Sequence, residues 1–156
     1  MLGYWNLKEE TKKTIKDGWL HTGDIGEFDQ NNYLKITDRK KDIIITPGGD
    51  NISPVKIESD LNKSNFIEQS LVYGDNKPYL VCLIVLSSEY KNIKNEEIQR
   101  EIEKINKNLS KIEKIKKFIV IKDQFTIENN MMTPTLKLKR YKIVKTYQNE
   151  LEKLFN

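Results

Sequence analysis

Eight consecutive residues, Tyr79-Leu80-Val81-Cys82-Leu83-Ile84-Val85-Leu86, form the longest apolar run in the chain. The run is far shorter than the ~20 residues a helix needs to cross a bilayer, and it reads as a buried strand. Its neighbours in sequence supply partners and cover. Ile67 to Tyr73 reads as a second strand, joined to the first through Gly74-Asp75-Asn76-Lys77-Pro78. Ser53-Pro54 opens a helix ahead of it, serine being a good N-cap and proline acceptable at the first helical position. Val55, Ile57 and Leu61 of that helix are expected to face inward. Asn95 is expected to cap a longer helix, in which Ile98, Ile102, Ile105, Leu109 and Ile112 recur at helical spacing as one apolar stripe. Phe118 to Ile121 reads as a small strand, and Arg140 to Phe155 as a last helix with Val144, Tyr147, Leu151 and Leu154 on one side.

The opening part of the chain is different in texture. Lys8 to Lys16 reads as a short polar helix anchored by Ile15 and Trp19 and ended by Asp17-Gly18, with Gly18 suited to a left-handed cap. Ile25 to Asp29 and Tyr33 to Thr37 read as a hairpin turning at Gln30-Asn31-Asn32. Ile43-Ile44-Ile45 is a β-branched strand stopped by Thr46-Pro47-Gly48-Gly49. Short connections between strands predict antiparallel pairing. The expected class is α+β, small antiparallel or mixed sheets packed by helices. The one boundary falls near Lys40 and Lys41, dividing the chain into 1–40 and 41–156.

At 156 residues, 37% hydrophobic and 32% charged, the chain suits a soluble globular domain with its own core. The net charge of +4 comes from lysines interleaved with glutamates, the pattern of solvated helix faces, so no nucleic-acid partner is expected. Cys82 is the only cysteine, which excludes an intrachain disulfide. With no signal-peptide pattern in Met1-Leu2-Gly3-Tyr4-Trp5, a cytoplasmic location is expected. His21 is the only histidine, which argues against a histidine-rich metal site; no metal ligands are expected in this chain.

Four polar segments carry candidate chemistry. In Thr22-Gly23-Asp24 the glycine permits a tight turn, and the carboxylate after it can accept two hydrogen bonds, as a ribose diol offers; the same residues would serve a plain turn before the Ile25 strand. Asp38-Arg39-Lys40-Lys41-Asp42 is an unbroken charged stretch at the boundary, either a solvated turn or a hinge. The loop from Thr46 to Pro54 holds Gly48 and Gly49, which allow unusual backbone angles and close approach of a ligand, but it lacks the Gly-Lys-Ser/Thr ending of a P-loop. Thr133-Pro134-Thr135-Leu136-Lys137-Leu138-Lys139-Arg140 alternates Leu and Lys and reads as an extended segment exposing its lysines, either a basic strand edge or a phosphate-directed arm.

Taken in order, these motifs resemble the C-terminal portion of adenylate-forming enzymes, and the forms Gly18-Trp19-Leu20-His21-Thr22-Gly23-Asp24 and Thr133-Pro134-Thr135-Leu136-Lys137-Leu138-Lys139-Arg140 resemble long-chain acyl-CoA synthetases. The resemblance covers essentially the whole chain, Gly3-Tyr4-Trp5 with Glu10 and Thr11 included. It implies that Asp24 binds the ribose hydroxyls of ATP and the acyl-adenylate, that Arg39 contacts the nucleotide ribose or phosphate, and that Thr22 belongs to the same nucleotide-binding element. It implies that Lys41 is the hinge of a turning C-terminal domain. It implies that the Gly48-Gly49 loop lines the pantetheine path and that Lys137 is the catalytic lysine of adenylation. Many members read Ser-Gly-Lys in that last segment, and Leu136 stands here where they have glycine. Glu58 also matches a family position, with a structural role expected, while Lys139 and Arg140 stay unassigned.

The implied substrates and cofactors are ATP, Mg2+, coenzyme A and a fatty acid. The implied partner is a large N-terminal AMP-binding domain, of which residues 1–40 would be the tail and 41–156 the mobile lid. The phosphate-cradling loop and adenine segment of that domain are not in this sequence, so the chain alone is expected to be inactive. Peripheral membrane contact would suit a long-chain substrate. Two other readings stay open: an enzyme for another carboxylic acid, aryl or amino, and a non-catalytic binding module of the same fold.

Overall fold

The computed structural model describes residues 1–156, and the chain divides into two compact units, Met1–Asp42 and Ile43–Asn156. The first unit begins with α1 (Lys8–Thr14), then β1 (Ile15–Lys16) and β2 (Trp19–Leu20), then β3 (Asp24–Phe28) and β4 (Leu34–Arg39). The expected helix stops at Thr14, because Asp17 and Gly18 both take left-handed angles, φ 51° and 81°. That is the geometry of a two-residue hairpin turn, and it pairs Ile15 with Leu20 and Lys16 with Trp19. Gly18 is therefore a turn residue and not a helix cap. Trp19 is 77% exposed and anchors nothing within the unit.

The hairpin of β3 and β4 forms as expected, turned by Asn32 at φ 62° and by Asp29 Oδ1, which accepts from the amides of Asn31 and Tyr33. A bulge interrupts its pairing between Ile25 and Gly26. Gly26 has no room for a side chain: a Cβ there would lie 2.9 Å from Leu34 Cδ1 and 3.0 Å from the Lys35 carbonyl. Asp38 is the one buried residue of this unit, and it is not apolar.

The second unit contains β5 (Ile44–Ile45), β6 (Asn51–Ile52), α2 (Pro54–Leu61), β7 (Ile67–Tyr73), β8 (Leu80–Leu86), α3 (Asn95–Asn106), β9 (Ile115–Ile121), α4 (Arg140–Thr146) and α5 (Gln148–Lys153). A three-stranded sheet in the order β7-β8-β9 is its centre. Every residue of β8, the long apolar run, is buried. Successive side chains of a strand point to opposite faces, and β8 feeds two cores. Leu80, Cys82, Ile84 and Leu86 pack with Ile57 and Leu61 of α2 and Ile98 and Ile102 of α3. Val81, Leu83 and Val85 pack with Ile143 of α4, Leu151 of α5, Phe125 and Met131. Burial pushes the Cys82 thiol far above its ordinary pKa, which makes it an inert core group.

Several details differ from the sequence expectation. β7 is antiparallel to β8, but β9 is parallel to it, because α3 crosses over between them. The sheet is thus mixed, which is within the expected class, although the short connections suggest antiparallel pairing alone. Asn95 is the first residue of α3 and makes no side-chain cap. The helix ends at Asn106, whose side chain bonds both backbone groups of Ile115, at 2.9 Å each, so Ile112 lies past the helix and is exposed. Val55 is also exposed, on the outer side of α2. The last helix is two, α4 and α5, bent at Tyr147 (φ −104°, ψ 22°), and the bend lets Ile143 and Leu151 enter the same core. The chain end is docked: the Tyr79 hydroxyl donates to the Leu154 carbonyl at 2.7 Å, and the Phe155 ring lies 5.2 Å from that of Tyr79. No helix is long and apolar enough to cross a membrane.

Candidate functional site

The candidate residues fall on both units, and each group is described on its own. On the first unit, Gly23 takes φ 75° and its carbonyl accepts from the Lys40 amide at 2.8 Å. Thr22 Oγ1 accepts from the Asp24 amide at 3.1 Å, which closes the turn and delivers Asp24 to the start of β3. Asp24 and Arg39 face each other across the hairpin, and Arg39 Nε meets Asp24 Oδ1 at 2.8 Å. The pair leaves Asp24 Oδ2 and both Nη groups of Arg39 without partners in the chain. Thr22, Asp24 and Arg39 therefore form one cluster that offers an acceptor and a fork of donors side by side. That combination suits a polyol next to an anion.

Asp38 is adjacent to this cluster and only 8% exposed. Its Oδ1 accepts from the Arg39 amide at 3.0 Å, while its Oδ2 is buried without a hydrogen bond. The Arg39 carbonyl then accepts from the Asp42 amide at 2.9 Å, so Lys40 and Lys41 form an exposed turn directly before the second unit begins at Ile43.

On the second unit, β5 and β6 pair through the Thr46–Asp50 loop. Thr46 Oγ1 bonds Asp50 Oδ2 and the Asp50 amide, each at 3.1 Å, and the Gly49 amide reaches back to the Thr46 carbonyl at 2.9 Å. Gly49 takes φ 87°, a region an L side chain rarely adopts, while Gly48 stays outside it. Both glycines are exposed at the tip of a closed, pre-shaped loop.

The Lys137 segment is not extended. The Leu136 amide donates to the Thr133 carbonyl at 2.9 Å, the Lys137 amide to Thr133 Oγ1 at 3.0 Å, and the Thr133 amide to the Lys137 carbonyl at 2.8 Å. A bridge between Met132 and Leu138 closes the base of this tight loop. Alternation of Leu and Lys therefore misled, because the turn is made by backbone angles and not by side-chain faces. Leu136 takes φ 59°, a left-handed position at which glycine carries no steric penalty. This explains physically why glycine suits the position it occupies. Lys137 is exposed at the tip, and its ammonium makes no ion pair or hydrogen bond. Lys139, by contrast, is engaged with the Asn130 side chain.

A leucine held left-handed costs ~1–2 kcal/mol. Leu136→Gly removes that strain and forfeits ~0.5–1 kcal/mol to chain entropy, so it should leave the unfolding midpoint unchanged or raise it slightly. Leu136→Ile, branched at Cβ, should lower it. Calorimetry on the three proteins checks the order; an isoleucine variant as stable as the parent would contradict a left-handed residue there.

Sequence reasoning did not foresee that Arg140 and Glu58 form a pair. Arg140 Nη2 meets Glu58 Oε1 and Oε2 at 2.8 and 2.6 Å, and the two side chains are 18% and 9% exposed. The signal was present. Pro54, Ile57, Glu58 and Leu61 follow one helical face, so an acid sat among inward positions and required a buried cation. No group of three or more His, Cys, Asp or Glu side chains converges to hold a metal.

These features match the fold of the C-terminal domain of adenylate-forming enzymes. The model of the AMP-binding enzyme C-terminal domain matches residues 41–156, and the chain belongs to that family. Long-chain-fatty-acid–CoA ligase FadD15 of Mycobacterium tuberculosis is 33% identical over 175 aligned residues, covering 99% of this chain and 29% of its own length. The chain thus spans less than a third of that relative. Among solved structures, the adenylation domain of a carboxylate reductase from Mycobacterium chelonae superposes with a TM-score of 0.90 at 27% identity, over 98% of this chain and 26% of that one. The A domain of a carboxylic acid reductase from Segniliparus rugosus, in complex with AMP and a co-purified carboxylic acid, gives 0.89 at 26% identity, over 98% and 26%.

Proposed function

We propose that this chain serves as the C-terminal part of an AMP-forming long-chain fatty acid–CoA ligase and acts together with a large AMP-binding domain. The observation that carries the reading is Lys137: an unpaired ammonium at the tip of a loop whose backbone is closed by its own hydrogen bonds.

In the first step a carboxylate oxygen attacks the α-phosphorus of ATP, the bond to pyrophosphate breaks, and acyl-adenylate forms. Lys137 neutralises charge that builds on the α-phosphate oxygens in the transition state, where a placed charge is most effective. Asp24 Oδ2 accepts from the ribose hydroxyls, Arg39 donates to ribose or phosphate, and Thr22 keeps the turn closed. The domain then turns about Lys41, an exposed residue able to change backbone angles without disturbing a core. In the second step the thiol sulfur of coenzyme A attacks the acyl carbon, AMP leaves, and the thiol proton passes to solvent. The Gly48-Gly49 loop lines the path of the pantetheine arm. The acids of this chain do not converge on a metal site, so magnesium would arrive with the nucleotide phosphates and the large domain.

The absence of any buried apolar residue in Met1–Asp42 and the orphan oxygen of Asp38 both support a large domain as partner. The test is AMP release from ATP, coenzyme A and a long-chain fatty acid. The 156-residue chain alone should release none, and a protein joining it to a large AMP-binding domain should turn over. Turnover by the chain alone would overturn the division of labour.

A further inference from the structure

The ion pair of Glu58 and Arg140 is built around the backbone of one residue, Val72. The Val72 amide donates to Glu58 Oε1 at 2.6 Å, and Arg140 Nη1 donates to the Val72 carbonyl at 3.0 Å. β7, which carries Val72, is an edge strand of the sheet. Its outward backbone groups have no neighbouring strand, and the carboxylate and guanidinium take that strand's place. Glu58 comes from α2, whose apolar residues lie in one core, and Arg140 from α4, whose Ile143 lies in the other. The pair therefore wraps the sheet edge and ties the two helical layers together.

Arg140 is also the first residue of α4 and stands three positions after Lys137. α4 begins without any side-chain cap, and the bonds from Arg140 to Glu58 and to the Val72 carbonyl tie its first residue to the sheet edge. Buried ion pairs are poor sources of net stability, since desolvation offsets most of the attraction. What the guanidinium supplies is direction, because Nη2 holds the Glu58 carboxylate while Nη1 holds the Val72 carbonyl. We propose that Glu58 and Arg140 are positioning residues that hold the Lys137 loop in its reactive placement, with the Met132–Leu138 bridge and the Lys139 amide bond to Met131 (2.8 Å) holding its other side. The proposal rests on the adenylation role of Lys137.

The first arm of the test needs no activity. Amide hydrogen exchange is followed in the 156-residue chain and in Glu58→Gln and Arg140→Lys. Gln keeps an acceptor for the Val72 amide, and Lys keeps the charge while losing the fork, so both should fold. The amides of Leu136, Lys137 and Lys139 should exchange about tenfold faster while those of Leu83 and Ile84 hold steady. Unchanged loop amides, or equal acceleration throughout, would overturn the clamp.

The second arm uses the protein joined to a large domain. Glu58→Gln should lower kcat for ATP–pyrophosphate exchange with little change in KM, and should add nothing to Lys137→Ala. A further loss on top of Lys137→Ala, or full exchange in Glu58→Gln beside a collapsed Lys137→Ala, sinks the clamp. If Lys137→Ala itself leaves exchange intact, the adenylation reading falls, and the positioning role falls with it.

Discussion

Lys137→Ala should slow ATP–pyrophosphate exchange about 10²–10³-fold, the usual loss when one preorganised charge or donor at a transition state is removed. The measurement is made in a protein that joins this chain to a large AMP-binding domain. Thioester formation from supplied acyl-adenylate should change by no more than about twofold, since in the proposed mechanism the domain has by then turned about Lys41 and carried Lys137 away from the departing phosphate. Two structural facts set this expectation. The ammonium has no partner in the chain, so its removal leaves no buried group unsatisfied. The loop is shaped by backbone bonds and by Thr133, so alanine at its tip leaves the fold alone. A loss of exchange can then be assigned to missing charge and not to unfolding. Unaltered exchange would remove Lys137 from the mechanism.

The second large effect concerns the two units. Residues 43–156 expressed alone should fold cooperatively, with β8 buried on both faces by two apolar cores. Residues 1–42 alone should not fold. No apolar residue there is buried, and Trp5, Trp19, Phe28, Tyr33, Leu34 and Ile36 are all exposed. Isolated hairpins and single short helices are marginal in water without a face to pack against. Amide-dispersion NMR of the two fragments decides it. A dispersed spectrum from residues 1–42 would show that this segment needs no larger body.

The parts of this fold legible in sequence were those set by local periodicity. The apolar run announced β8, the spacing of Ile57 and Leu61 announced the inner face of α2, and Ser53-Pro54 announced its start, where Ser53 Oγ accepts from the Lys56 amide at 3.3 Å. What escaped depended on distant partners or on backbone angles. Parallel pairing of β8 with β9 depends on α3 crossing between them. The hairpin at Asp17-Gly18 and the loop at Leu136 both turn on left-handed residues in segments whose side chains suggested helix and strand. The candidate residues were legible as motifs, but not their arrangement. The Asp24–Arg39 contact follows from the β3–β4 register, and the Glu58–Arg140 pair from the packing of two helices around an edge strand.

The central claim is that one domain serves two half-reactions with different loops. The most direct test measures both half-reactions in Lys137→Ala and in Gly49→Val, within the protein joined to a large domain. Valine at φ 87° distorts the Gly48-Gly49 loop whatever space surrounds it. The account predicts a crossed pattern: Lys137→Ala loses pyrophosphate exchange and keeps thioester formation, while Gly49→Val keeps exchange and loses thioester formation. Parallel losses in both variants, or no loss in either, would contradict it.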